Sequence, residues 1–425
     1  MNARAETLDV EMLAVSALPP ETLPAPQCLS DSARGFIALI GAAAWSRRIA
    51  ELSDAIVTTQ RTGRALMQRH VIEIAIERLR RQGRNAPPTH TERLVAAMAN
   101  ELAVLADQLS VAGRARLRQA VQAATSGTAS LMPLFHLANT ALRQRGRGFE
   151  VGYLGMEEAA PFDLMLVRQG QEAEVACDVV SAEEGRHLHR GAWVRLVDRV
   201  DPDLQTWLTA HPGRYLLKMT LPQGLRADTA TEDAPDRLAE LHSRITTMLR
   251  QQRRADHDEA AVLRLDPLML AGSQADELGM MNRLRREFGH EAHLAVTAAG
   301  GGVFVMAARA GREDEVAAAI RRRMAAIAPA RLTGTRPGIL AMLIEDIDRA
   351  EWRHLRDRLT LEGEARQFLT HPEARCIVAV TCASRLELLG EGQSDAAPDG
   401  ELRFRNPAHP AAKAAGLAPA VLSSV

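Results

Sequence analysis

Four acids crowd one short stretch of this 425-residue chain: Asp163, Glu172, Glu174 and Asp178 all fall within PFDLMLVRQGQEAEVACDVV, residues 161–180. Strand alternation puts the side chains at 172, 174, 176 and 178 on one face and Val175, Cys177 and Val179 on the other, so Glu174 and Asp178 point together. Neighbouring strands lie about 4.8 Å apart. If Asp163 faces the same side, two carboxylates at roughly 5 Å repel by about 3 kcal/mol at an effective dielectric near 20. A positive group is therefore expected beside them, and a divalent cation, Arg186, Arg190 or plain solvent each answers that need.

Immediately downstream, Glu183, Glu184, Arg186, His187, His189 and Arg190 offer two further chemistries. Arginines beside the exposed N–H groups of a helix start can hold a phosphate, and histidines near acids can ligate a metal. Residues two apart on a helix face different ways, which favours solvated loop histidines over a metal pair at 187 and 189.

The elements that must position these groups follow from the pattern. Gln169-Gly170-Gln171 joins FDLMLVR to EAEVACDVVS as a hairpin, FEVGYL supplies a strand before it, and SLMPLFHLANTALRQRG is an amphipathic helix stopped by Gly146 and Gly148. A helix at WVRLVDRV, a further segment PDLQTWLTAH and a strand at GRYLLKMTLP come next, so 130–222 reads helix, three strands, helix, strand. Upstream, four runs with helical period between 33 and about 128 predict an all-helical domain, one of them starting at Thr91 and Glu92. Downstream, PDRLAELHSRITTMLRQQRR predicts a helix bearing the 244–254 arginines and HDEAAVLRL a strand. AHLAVTAA and VFVMAARA form a hairpin turned by Gly300-Gly301-Gly302. EDEVAAAIRRRMAAIA and WRHLRDRLTLEGEARQFL are helical, while GILAMLIEDI and CIVAVTCAS are strands.

The order across 130–222, with an aspartate near the start of the hairpin's first strand, resembles the core of the PD-(D/E)xK nuclease superfamily. There a proline-aspartate element opens one strand and an acid-x-lysine element sits on the next. The matching residues here are Pro161-Phe162-Asp163 and Glu172 to Ser181. The resemblance implies a restriction-endonuclease-like core in which Asp163 and Asp178 bind Mg2+ with help from Glu174, and, where the site is active, metal-dependent cleavage of DNA. If Ser181 to Arg186 sets the register, the acid-x-lysine positions fall on Ala176 and Asp178. Taking Glu174 as the acid leaves Ala176 where lysine belongs, so the implied site is degenerate. Lys218 is the displaced-lysine candidate, and Arg186, Arg190, Arg195 and the 244–254 arginines are candidate nucleic-acid contacts. The competing reading is a non-catalytic protein-interaction or scaffold protein whose helical domain pairs with itself or a partner.

Bulk composition bounds these readings. The length suggests two or three domains. With 52 basic against 53 acidic residues, the chain as a whole exerts no long-range pull on nucleic acid or anionic lipid, so any basic surface must be local. Only Lys218 and Lys413 are lysine. Cys28, Cys177, Cys376 and Cys382 form no C-x-x-C, which predicts neither a zinc ribbon nor a disulfide framework and makes a reducing cytoplasmic setting the expectation. The first thirty residues predict no signal peptide, and FIALIGAAAW is too short to span a bilayer, so no membrane partner is expected. The expected organisation is a mixed α+β or α/β chain. It has a flexible leader over 1–32, a helical domain over 33–128, a nuclease-like core over 129–255, a C-terminal α/β region over 256–391 and a flexible tail over 392–425.

Overall fold

A computed structural model describes residues 29–57, 60–81, 87–226, 236–268, 284–285, 288–289, 291–391, 396–397 and 399–423. The leader expected over 1–32 lies outside them except for its last residues, which already belong to the first helix. Six helices open the chain: α1 (Leu29–Ile40), α2 (Ala42–Ala55), α3 (Arg61–Arg69), α4 (Val71–Arg81), α5 (His90–Gln108) and α6 (Val111–Ala124). Periodicity predicts four. Gly41, at φ 90, breaks the first run, and His70 breaks the second by ending α3 outside the helical region. A capping box starts α5: the Thr89 hydroxyl accepts the Glu92 N–H at 3.2 Å and the Glu92 carboxylate accepts the Thr89 N–H at 2.7 Å. Thr89→Ala is expected to lower stability by about 1 kcal/mol, read as a shift of the urea midpoint.

The next elements are α7 (Met132–Gly146), β1 (Glu150–Gly152), α8 (Leu154–Glu157), β2 (Leu164–Arg168) and β3 (Gln171–Ser181). Gln169 and Gly170 turn the hairpin at φ 51 and 72, the left-handed pair of a two-residue turn that matches strand twist. Beyond β3 the path departs from expectation. The chain leaves this sheet for α9 (Arg190–Ala210), β4 (Arg214–Leu221), α10 (Arg237–Arg250), β5 (Ala255–His257), β6 (Val262–Pro267), β7 (His293–Ala299) and β8 (Gly302–Ala310). These strands make a separate five-stranded sheet in the order β5-β6-β4-β8-β7. Only then does α11 (Val316–Arg331) lead into β9 (Gly338–Glu345), which lies parallel to β3. After α12 (Arg349–Asp357) and α13 (Thr360–Leu369) come β10 (Ile377–Ser384), α14 (Arg385–Leu389), β11 (Leu402–Arg405) and α15 (Ala418–Val421). The first sheet is six-stranded, in the order β1-β2-β3-β9-β10-β11.

The boundaries at 255 and 128 shift accordingly. The helix and strand expected to close the hairpin's sheet belong to the second sheet, and α11 with β9 take that role. The physical reason lies in burial: β9 is buried at every position but the last and β10 throughout, as befits parallel strands covered on both faces. The helices do not stand apart either. One continuous core joins Phe36, Ile76, Leu102 and Phe135 of the helical layer to Leu164, Val175, Ile339 and Val378 of the sheet. The opposite face of that sheet packs under α11, α12 and α13 through Ala176, Val180, Ile320, Trp352 and Phe368. The second sheet has its own core beneath α9 and α10. The tail expected to be flexible is partly built in: Leu402 to Arg405 pair antiparallel with β10, and Phe404 is buried.

Two polar devices tie the layers together. The Asp198 carboxylate on α9 accepts the N–H groups of Arg61 and Thr62 at 2.9 and 2.7 Å, capping α3 from the inserted lobe. Within the helical layer Arg48 is 3% exposed and donates to the carbonyls of Gly127 and Ala129 at 2.8 and 2.7 Å. It lies 3.5 Å from the fully buried Glu73, which also meets His70 at 3.0 Å. Among the described residues no helix is long and apolar enough to cross a membrane.

Candidate functional site

The acids of β2 and β3 face α11, and arginines from that helix and the loop after it meet all of them. Asp163, just before β2, receives the Arg331 guanidinium at 2.7 and 2.8 Å on its two oxygens, and one of these also accepts the Cys177 N–H at 2.7 Å. Asp178 receives Arg323 at 2.6 and 3.1 Å, again on both oxygens. Glu174, fully buried, accepts the Thr333 N–H at 2.9 Å as well as the Thr333 hydroxyl, and has Arg336 3.7 Å away. Glu172 pairs with Arg336 at 2.5 Å. Arg323 and Arg331 are eight residues apart, a little over two helical turns, so they project from one stripe of α11.

Electrostatics follow from this enclosure. Burial pushes the Asp163 carboxyl above its usual range, opposed by Arg331 and the Cys177 N–H and reinforced by Asp178. The hydrogen bond to Asp178 raises the Arg323 guanidinium in turn. The positive charge that the hairpin requires is therefore supplied from within the chain. A Mg2+ ion fits poorly here. Both oxygens of each aspartate are engaged by a cation, the pairs are already neutral, and among the described residues no group of three His, Cys, Asp or Glu side chains is arranged to hold a metal. Glu174 sits at the loop after α11 and does not join the two aspartates.

Lys218 is not on the hairpin's sheet. It lies on β4 in the second sheet, 3.2 Å from Asp266 and with its ammonium 5.2 Å from the Phe288 ring centroid. Its place as a catalytic lysine is thereby corrected: the strand that carries it pairs with β6 and β8, in a sheet separate from that of β3.

The arginines after the hairpin gather where the carboxyl ends of β3 and β9 meet the inserted lobe, around a cleft of about 330 Å³. Arg186 is 2% exposed. It donates to Glu351 at 3.1 Å, to the Asp346 carbonyl at 2.8 Å, and to Glu183. Burial works against its cation, yet Glu351 and Glu183 more than offset that and raise its pKa. Arg190 reaches Asp348 at 3.2 Å and Glu351 at 3.4 Å, while Arg195 is exposed on α9. Arg244 is likewise spent, on Asp256 and Asp258 at 2.9 and 2.6 Å. His189 lies 3.7 Å from Glu183, whereas the His187 backbone N–H donates to Asp314 at 2.9 Å. In the same cleft, burial and then the charges of Arg190 and Arg186 push the His293 imidazole down to about 3, so it is neutral.

Sequence reasoning anticipated the acids and missed Arg323, Arg331 and Arg336. The signal was present as arginines eight apart in the helix EDEVAAAIRRRMAAIAPAR, but nothing local says which sheet face that helix covers. Comparison with protein-family models, with curated proteins and with solved structures gives no match.

Proposed function

We infer that this chain acts as a non-catalytic binding scaffold built on a nuclease-like element order, and not as a metal-dependent nuclease. The order α7-β1-α8-β2-β3-α11-β9, with β3 and β9 parallel, supports the likeness to the PD-(D/E)xK core once the inserted lobe is set aside. The observation that carries the non-catalytic reading is the pairing of Asp163 with Arg331 and of Asp178 with Arg323. Guanidinium groups occupy the positions a metal would need. DNA contact through Arg186 and Arg190 draws little support, because their donors are committed to acids and a phosphate would have to displace those partners.

The test is incubation of the full chain with plasmid and single-stranded DNA in Mg2+ or Mn2+. No cleavage is expected. Asp163→Ala is expected to cost about 2 kcal/mol in urea unfolding, because the Cys177 N–H and Arg331 lose their acceptor. Metal-dependent cleavage that disappears in both Asp163→Ala and Asp178→Ala would overturn the reading.

A further inference from the structure

A second cavity, of about 580 Å³, opens at the end of the six-stranded sheet where β10 begins and β11 ends. Its walls come from two short segments of the same design. His371-Pro372-Glu373-Ala374-Arg375 and His409-Pro410-Ala411-Ala412-Lys413 each start a short 3-10 helix with proline in its first turn. Proline fixes φ, so both walls are stiff. Asn406 locks the second wall further: its amide donates to the Ile377 carbonyl at 2.9 Å and its oxygen accepts the Ala408 N–H at 3.1 Å. Such a pocket is preorganised and loses little entropy on binding.

The charge of the lining is one-sided. Arg366, Arg375 and Arg405 line the cavity with His371 and His409, and no acid does. Glu362 engages Arg366 at 2.6 Å and Glu373 lies 3.3 Å from His371. Among the described residues neither Arg375 nor Arg405 meets a carboxylate, so these two positive charges have no acid against them. The His409 Nδ1 accepts the Ala411 N–H at 3.1 Å, which places the ring proton on Nε2 as a further donor. Leu369, Ala374 and the prolines supply the apolar wall.

We propose that this cavity binds a small phosphate monoester, its dianionic head between Arg375 and Arg405 and its apolar body against the proline walls. Two guanidinium groups match a doubly charged tetrahedral head better than a single carboxylate. A half-open cavity of this size suits a small molecule, whereas a polynucleotide needs a groove that tracks its backbone.

Phenyl phosphate is the probe, titrated calorimetrically into the full chain beside benzoate, benzyl alcohol and inorganic phosphate. Phenyl phosphate is expected to bind at least tenfold tighter than each of the other three. The Arg375→Ala/Arg405→Ala double variant is expected to lose at least tenfold of that affinity, and Arg366→Ala no more than about threefold. Because neither guanidinium has a carboxylate to lose, the double variant should unfold at an unchanged urea midpoint, which separates lost binding from lost structure. Absent binding of phenyl phosphate, equal binding of benzoate or inorganic phosphate, or undiminished affinity in the folded double variant would each overturn the proposal.

Discussion

Arg48→Ala is expected to destabilise the chain by about 3–5 kcal/mol, because the variant leaves a buried carboxylate without its cation. Glu73 is fully buried, Arg48 is 3% exposed, and the guanidinium also satisfies two backbone carbonyls at the turn after α6. Truncation removes the donor from both carbonyls at once and leaves Glu73 with His70 as its one polar partner among those described, in a site from which solvent is excluded in the parent chain. The measurement is urea unfolding followed by tryptophan fluorescence, since Trp45 lies in the same helix and donates to Glu77 at 2.9 Å. Arg48→Met with Glu73→Gln removes both charges together, and this double variant is expected to recover more than half of the loss. A single-variant loss below about 1 kcal/mol would show that the pair contributes no more than a surface ion pair.

Glu345→Gln is expected to raise stability by up to about 3 kcal/mol at pH 8 and to leave it unchanged at pH 4. Burial at the carboxyl end of β9, aided by Asp346 and Glu73 and opposed by Arg69, pushes the Glu345 carboxyl up to about 7. The folded state thus keeps a proton that the unfolded chain releases near the ordinary carboxylate value. Its stabilising effect is complete below that value and is lost as pH rises towards 7, so stability falls with pH across this window. An amide cannot ionise and should flatten that slope. Urea midpoints of parent and variant at pH 4, 6 and 8 give the comparison, and parallel curves would refute the assignment. The two predictions meet physically: the charge on Glu73 that Arg48 balances is one of those acting on Glu345.

Local features of the fold were legible in the sequence wherever a short-range rule governs them. The Gln169-Gly170 turn fixes the hairpin, Gly300 and Gly301 at φ 55 and 76 turn the second one, and the apolar runs at 338–345 and 377–384 are strands as read. The helix start at α5 was displaced by two residues: Thr89 and not Thr91 is the N-cap, and it makes a capping box with Glu92. Long-range choices were not legible. WVRLVDRV and the helix at 316–331 are both amphipathic, and only the tertiary pairing of β3 with β9 decides which of them crosses the six-stranded sheet. The same holds for the candidate site. Asp163 and Asp178 stand out in the hairpin, but their partners lie 168 and 145 residues away, and no spacing rule links them. The strand Leu402–Arg405 was hidden for another reason: four residues are too few to display alternation, and they come after a stretch rich in Gly, Asp and Pro.

The inserted lobe departs and returns at one point. The Glu315 N–H donates to the Gly185 carbonyl at 2.7 Å, and a Cβ on Gly185 would lie 2.5 Å from the Val316 Cα. Strands β3 and β9 are neighbours in space with that whole lobe between them in sequence, a contact of high order that is slow to form from an extended chain. A lobe that folded first would draw its own ends together and shorten the loop that must close.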